Sequence, residues 1–189
     1  SKNRIRIRKV KKPKKFSKIY SQQILSQLPF KLTKDQLVVL KEINIDISSD
    51  RRMFRIIQGD VGSGKTIVSL LSIANVIESG YQCALMSPTE ILARQHYELA
   101  RKLFKDVNIN LEFITGKTEL NEKKRIQKSL ENGKVNLIIG THALFQKKIN
   151  FKKLGLIIID EQHKFGVNQR LQLAKKGGDN CDVLLMSAT

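Results

Sequence analysis

Residues 59–66 read Gly59-Asp60-Val61-Gly62-Ser63-Gly64-Lys65-Thr66 and fit the pattern G-x-x-x-x-G-K-[ST]. An apolar run at 54–58 precedes this stretch, and a helix-forming run begins at Lys65. In such a strand, loop and helix, backbone N–H groups and the positive end of the helix dipole face phosphate groups. The pattern therefore predicts a phosphate-binding loop in an α/β domain, with Lys65 on the β- and γ-phosphates of a nucleoside triphosphate and Thr66 on Mg²⁺.

A second motif follows the apolar run 156–159, where Asp160 and Glu161 stand side by side. An uninterrupted apolar run is typical of a central strand in a parallel sheet, and ligands bind at the carboxyl ends of such strands. A solvated turn would also explain two carboxylates in this place. Next to a phosphate loop, the pair fits phosphoanhydride hydrolysis, in which Asp160 holds Mg²⁺ and Glu161 orients or deprotonates the attacking water.

Short apolar runs alternate with amphipathic segments along the rest of the chain, which predicts βα units with helices on both faces of a mainly parallel central sheet. We place the domain at 29–189 and a basic extension or linker at 1–28. Strands are predicted at 54–58, 83–87, 111–115, 137–140, 156–160 and 183–186. Helices are predicted at 19–28, 33–45, 65–79, 90–104 and 119–132, with a short one near 143–146. The expected apolar faces are Leu37, Leu40 and Ile43 on the second helix and Leu92, Leu99 and Leu103 on the fourth.

The net charge of +18 suggests a polyanionic partner, and nucleic acid is the natural candidate. A lysine-rich composition inherited from an AT-rich genome would explain part of the excess. Residues 1–18 hold ten Lys or Arg and no acidic residue. Such a like-charge block is expected to stay outside the packed core. It could be an arm that touches phosphates, or residues 1–10 could be the last strand of a preceding domain.

Several classes of protein are disfavoured by the composition. No apolar stretch approaches the roughly 18 residues of a membrane span, and the N-terminus lacks the apolar core of a secretory signal. Only two cysteines, Cys83 and Cys181, are present, so neither a disulfide framework nor a cysteine metal site is indicated. We therefore expect a cytoplasmic protein with reduced thiols and no membrane partner.

These motifs resemble one family, the RecG group of ATP-dependent DNA helicases within superfamily 2. The resemblance is carried by residues 58–66 and by the stretch Asp160-Glu161-Gln162-His163-Lys164-Phe165-Gly166-Val167. Residues 88–96 resemble helicase motif Ia, residues 115–116 and 140–144 resemble further DNA-contacting elements, and 187–189 resemble motif III. The resemblance covers about residues 28–189 and implies a three-layer RecA-like P-loop domain that uses ATP and Mg²⁺.

The resemblance also implies roles for individual residues. Lys65, Glu161 and His163 would be catalytic, and Gln162 and His163 would couple the nucleotide site to Ser187 and Thr189. Adenine would be recognised by Phe30 and Gln36, although an ordinary capping box from Thr33 to Gln36 would explain that glutamine equally well. The backbone of branched or single-stranded DNA would be bound by Pro88, Thr89, Arg94, Gln95, Gly116, Thr141 and His142. For Arg94 alone, a solvated helix face is an adequate explanation.

Helicases of this family also have a second RecA-like domain with an arginine finger, and an N-terminal wedge domain. Neither is expected within these 189 residues. An arginine finger is worth about 10³–10⁵ in rate in related phosphoryl transfer, so the isolated chain is expected to bind ATP weakly and hydrolyse it poorly. The second motor domain is then a candidate partner in trans. Two functions remain open: the motor domain of a helicase that remodels branched DNA in recombination and repair, or a non-catalytic remnant of a split or truncated gene that binds ATP and nucleic acid.

Overall fold

The computed structural model describes residues 10–59 and 64–188, with side chains for all of these except residues 170, 171, 173 and 174. Within these ranges the helices are α1 (Ile19–Gln27), α2 (Lys34–Ser48), α3 (Lys65–Glu78), α4 (Glu90–Leu103), α5 (Leu120–Glu131) and α6 (Val167–Lys176). The strands are β1 (Phe54–Gln58), β2 (Gln82–Met86), β3 (Leu111–Ile114), β4 (Leu137–Gly140), β5 (Leu154–Ile159) and β6 (Asp182–Ser187). Short 3₁₀ helices span His142–Phe145, Gln162–Lys164 and Gly178–Asn180.

The strands form one sheet in the order β1-β6-β5-β2-β4-β3, and every neighbouring pair is parallel. The predicted parallel α/β architecture is thereby confirmed. Strand β5, whose residues are all buried, lies between β6 and β2, as its apolar run indicated. Because all strands point the same way, their carboxyl ends share one edge of the sheet, where β1, β6 and β5 form one half and β2, β4 and β3 the other.

The strand side chains alternate between two hydrophobic cores, one on each face of the sheet. On the first face, Leu156 and Ile158 of β5 belong to the core that α1, α2, α3 and α4 cover. On the opposite face, Ile157 and Ile159 belong to the core that includes α5 and the 3₁₀ helix at His142–Phe145. By the same alternation, the residue that follows Ile159 points toward the first face.

The start of α2 is the predicted capping box. The backbone N–H of Thr33 donates to Oε1 of Gln36 at 2.9 Å, and the N–H of Gln36 donates to Oγ1 of Thr33 at 3.2 Å. The predicted apolar face of this helix is wrong at Leu37, which is 49% exposed, whereas Leu40, Ile43 and Ile47 are buried. The helix also continues to Ser48, so its buried face shifts toward its C-terminal end.

Helix α4 buries a different face from the predicted one. Leu92, Leu99 and Leu103 are only partly buried, while Ala93, His96 and Ala100 are buried. The two small alanine side chains allow the helix to approach the sheet closely, which a face of three leucines would prevent. Helix α6 was not predicted, because the segment 167–176 has few apolar residues and no strong helical period.

The basic extension is packed more tightly than its sequence suggests. The side chains of Lys11 and Lys14 are fully buried, and their ammonium groups lie 2.7 and 2.8 Å from Oδ2 of the buried Asp182. Burial lowers the pKa of Lys11, although the hydrogen bond to Asp182 favours its charged form. The expectation that the charged block stays outside the core is therefore wrong for these two lysines, because a buried carboxylate and several backbone carbonyls pair with them.

The two hypotheses for the N-terminus depend mainly on residues 1–9, which lie outside the described part of the chain. The adjoining Val10 forms an isolated antiparallel bridge with Arg51.

Both cysteines are free and buried, and burial raises the pKa of the Cys83 thiol and that of Cys181, the latter to about 12. Among the described helices, none is long and apolar enough to cross a membrane.

Gly140, at the end of β4, is a position where a side chain cannot fit. A Cβ atom there would clash with the carbonyl oxygen of Ile114 and lie 2.9 Å from its Cγ2 atom. We expect Gly140→Ala to lower the free energy of unfolding by about 1–3 kcal/mol, the usual cost of overpacking. Gly116→Ala, on the neighbouring turn, is the matched control because a Cβ there meets nothing within 4 Å. Urea denaturation of both variants tests this, and an equal effect on stability would contradict it.

Candidate nucleotide and nucleic-acid sites

The phosphate-loop lysine lies between two strand ends. Helix α3 begins at Lys65 directly after Gly64, whose φ of 80° is a conformation that favours glycine. The Lys65 ammonium donates hydrogen bonds to the carbonyl oxygens of Gly59, at 2.8 Å, and Ser187, at 2.9 Å. It thus connects the end of β1 with the end of β6. The predicted loop residues Asp60, Val61, Gly62 and Ser63 lie outside the described residues.

A cavity of about 480 Å³ opens at the start of α3. This volume is in the range of small-molecule pockets. Five of the residues predicted to bind the nucleotide come together in its wall, where Gln36 lies directly against Gly64. The full lining consists of Phe30, Lys31, Thr33, Gln36, Gly64, Lys65, Thr66, Ile67 and Leu99.

Asp160, at the end of β5, is held through both its backbone and its carboxylate. Its backbone N–H donates to the carbonyl oxygen of Met86 at 2.8 Å. Its Oδ1 accepts from the backbone N–H of Glu161 at 2.9 Å, and its Oδ2 lies 2.6 Å from Nε2 of His96. Glu161 has a left-handed backbone with φ of 49°, which is uncommon for a residue with a side chain and is concentrated at functional sites.

The residues at this edge fit a bound Mg²⁺. Thr66, Asp160 and Glu161 offer hydroxyl and carboxylate oxygens, which are the ligands that Mg²⁺ prefers. Among the described residues there is no cluster of three or more His, Cys, Asp or Glu that could hold a metal by itself. Mg²⁺ is usually bound by one or two carboxylates together with water and substrate phosphates, so this donor set is chemically suitable for it.

Two of the predicted coupling residues contact the nucleotide motifs: Ser187 contacts Lys65, and His163 contacts Glu161. Ser187 reaches the phosphate loop through its carbonyl oxygen, which accepts from Lys65, and its hydroxyl donates to the carbonyl oxygen of Ala188 at 3.0 Å. His163 is exposed and lies 3.4 Å from the Glu161 carboxylate. Gln162 is partly buried at the start of the 3₁₀ helix that follows Glu161. Thr189 lies outside the described residues.

The predicted DNA-binding residues lie in the other half of the sheet edge, in the segments that follow β2, β3 and β4. Pro88 is partly buried and Thr89 exposed, and Oγ1 of Thr89 accepts from the N–H of Leu92 at 3.2 Å and caps α4. Gly116, Gln95 and His142 are exposed, whereas Thr141 is buried. The Arg94 guanidinium lies 4.1 Å from the ring centroid of Phe113, so its side chain packs against β3.

Phe165 joins the acidic motif to this second half. Its ring is buried and meets the rings of His142 and Phe145 edge-on, with centroids 5.1 and 6.2 Å apart. Phe165 belongs to the stretch that resembles the RecG group, but the resemblance implied no role for it. In the structure it supports the turn that presents His142.

One residue at the site was missed by the sequence reasoning. His96 was part of the motif Ia stretch but had no assigned role, and its contact with Asp160 joins the two halves of the edge. A signal was available, since His96 falls on one helical face with Ala93 and Ala100. The predicted leucine face of α4 concealed it.

Comparison with known proteins identifies the family. A family model described as DEAD/DEAH box helicase matches residues 33–189. The chain is 48% identical over 176 residues to the ATP-dependent DNA helicase RecG of Borreliella burgdorferi and 52% identical over 162 residues to that of Streptococcus pneumoniae. The matches cover 93% and 86% of this chain but 26% and 24% of the relatives, so the chain spans about a quarter of their length.

Two solved structures are also similar. A structure of RecG bound to a three-way DNA junction matches with a TM-score of 0.84 and 43% identity, over 94% of this chain and 24% of that one. The UvsW helicase from bacteriophage T4 matches with a TM-score of 0.64 and 17% identity, over 93% of this chain and 61% of that one. The second likeness concerns the fold alone.

Proposed function

The chain belongs to the DEAD/DEAH box helicase family, and from this premise we propose that it is the ATP-binding motor domain of a RecG-type DNA helicase or translocase. The observation that carries the proposal is the meeting of three motifs at one sheet edge. Lys65 follows β1 and bonds to Ser187 at the end of β6, and Asp160 ends the adjacent β5. A generic phosphate-binding loop would not require the acidic motif at Asp160 or motif III at Ser187.

The residues of this edge would divide the work of ATP hydrolysis. Lys65 would exchange its two carbonyl partners for the β- and γ-phosphates, and Thr66 and Asp160 would hold Mg²⁺. When bound, Mg²⁺ neutralises charge on the phosphate oxygens. Glu161 would orient the attacking water or accept its proton. Its carboxylate lies 3.4 Å from Nε2 of His163, and this contact would connect the water site to the neighbouring 3₁₀ helix.

Because Lys65 bonds to the carbonyl oxygen of Ser187, arrival of a phosphate at the lysine would remove one of the two donors on that oxygen and leave the backbone N–H of Gly59 as the other. This contact is a direct route from the nucleotide to motif III, and Gln162 and His163 would supply a second route.

The seven predicted DNA residues, from Pro88 to His142, would bind the sugar-phosphate backbone without reading bases. Branched DNA is the proposed substrate because a related RecG structure contains a three-way junction. The proposed cellular location is the cytoplasm, where such DNA and ATP are found together.

The proposed activity needs an arginine from a second motor domain, supplied from the same polypeptide or in trans. We expect DNA-stimulated phosphate release when this chain is mixed with the second motor domain of a RecG relative, and little release from this chain alone. Phosphate release with and without a three-way junction measures this. Release that is unaffected by the junction would contradict a DNA motor, and ATP binding without turnover in the complete mixture would indicate a non-catalytic protein.

We also propose that Gln36 reads adenine in addition to capping α2. Gln36→Glu retains the oxygen that accepts from Thr33 but loses the amide donor beside Gly64. We expect a loss of about 1.4 kcal/mol, or about tenfold, in preference for ATP over GTP. Thr33→Ala is the converse control, because it removes the cap at a cost of about 1 kcal/mol and leaves the amide in place. Competition binding and thermal unfolding of both variants test the assignment, which an unchanged ATP preference in Gln36→Glu would refute.

A further inference from the structure

His96 and Asp160 form a nearly buried side-chain pair at the boundary between the two halves of the sheet edge. His96 Nε2 lies 2.6 Å from Oδ2 of Asp160, and each residue is 8% exposed. The other carboxylate oxygen accepts from the backbone N–H of Glu161 at 2.9 Å. With one donor on each oxygen, the carboxylate cannot rotate without breaking a hydrogen bond.

The fold explains why these two side chains meet. Residue 160 continues the alternation of Leu156 and Ile158 toward the face that α4 covers. On α4, Ala93 and Ala100 flank His96 on the buried face, and their small side chains let the helix lie close enough for the imidazole to reach the end of β5.

We propose that His96 is a positioning residue for the Mg²⁺ ligand Asp160. Its Nε2–H donates to Oδ2 and so fixes the orientation in which the remaining lone pairs of the carboxylate meet the metal ion. The inference rests on the proposed function, because it assumes that Asp160 serves a nucleotide-bound Mg²⁺. Helix α4 also carries Arg94 and Gln95, so the helix proposed to meet DNA is the one that holds the metal carboxylate in place.

The test measures the Mg²⁺ dependence of nucleotide binding rather than activity. A fluorescent N-methylanthraniloyl derivative of ATP is titrated into the 189-residue chain and its variants at increasing Mg²⁺, and again in EDTA. For His96→Leu we expect the half-saturating Mg²⁺ concentration to rise by about 10- to 100-fold, as is typical when a partner of a metal ligand is removed. Binding in EDTA should be unchanged. Glu98→Leu, an exposed change on the same helix, should behave as the wild type.

A pair of conservative variants separates positioning from mere packing. His96→Gln places an amide donor near the position of Nε2 and should recover most of the Mg²⁺ affinity. His96→Asn places its donor near Nδ1, too short to reach Oδ2, and should resemble His96→Leu. This pair also decides the question if His96→Leu does not fold.

Two results would overturn the inference: a wild-type Mg²⁺ dependence in His96→Leu, or equal behaviour of the glutamine and asparagine variants. A loss of nucleotide affinity that is the same in EDTA and in Mg²⁺ would assign His96 a purely structural role and would overturn it too. Failure of the proposed function is distinguishable, because in that case the wild type itself would show no nucleotide binding that Lys65→Ala removes.

Discussion

Lys65→Ala is expected to lower the affinity for MgATP by about 10- to 100-fold, the equivalent of about 1.5–3 kcal/mol for a charge-assisted hydrogen bond. The reason is geometric as well as electrostatic. The ammonium is already held at the sheet edge by the carbonyls of Gly59 and Ser187, so its position is set before the nucleotide arrives. Any phosphate release measured in the presence of the second motor domain should disappear as well.

Calorimetric titration of a non-hydrolysable ATP analogue measures the effect. Lys124→Ala, an exposed lysine on α5, is the matched control because it removes the same charge from the chain at a distance from the cavity. If the two variants bind the nucleotide with equal affinity, Lys65 does not contact the phosphates and the site assignment is wrong. A loss confined to Lys65→Ala supports it.

The second large effect concerns stability. Asp182→Ala is expected to lower the free energy of unfolding by about 3–5 kcal/mol, because it leaves two buried ammonium groups without a carboxylate. The Asp182 side chain also accepts from the backbone N–H of Met53 at 2.8 Å, and this bond would be lost together with those from Lys11 and Lys14. Urea denaturation followed by circular dichroism measures the change.

Replacing the whole group at once is the control. The triple variant Lys11→Met, Lys14→Met, Asp182→Leu removes the charges together with their carboxylate, and such replacements are often neutral or stabilising. We expect a smaller loss than in Asp182→Ala, about 1–3 kcal/mol, because only the backbone N–H of Met53 is left without its partner. A small effect of Asp182→Ala, or an equally large loss in the triple variant, would show that the ion pairs do not account for the packing of the N-terminal segment.

The nucleotide half of the candidate site could be proposed from the sequence because its signals are local. A phosphate loop needs glycines, a lysine and a hydroxyl at set spacings, and the apolar run before Asp160 indicates a central strand by itself. The capping box of Thr33 and Gln36 spans three residues and was predicted correctly. These features depend on neighbours along the chain, so one sequence is enough to find them.

The contacts that were missed all join residues distant in sequence. Lys11 meets Asp182 across the domain, and His96 meets Asp160 across the boundary between two strands. Neither lysine differs locally from the exposed lysines around it, and an isolated histidine on a helix carries no sign of its partner. Helical spacing did mark His96 as facing the sheet, but the leucines of α4 offered a more hydrophobic alternative.

The sequence by itself determined the parallel α/β fold and marked the phosphate loop and the acidic pair as candidate sites, because backbone preferences, hydrophobic period and motif spacing act over short stretches of chain. Only the tertiary structure decided which lysines are buried, which face of α4 meets the sheet and which side chain holds Asp160. Those outcomes depend on side-chain volumes and on partners for buried charges, and both are set when elements far apart in the chain pack together.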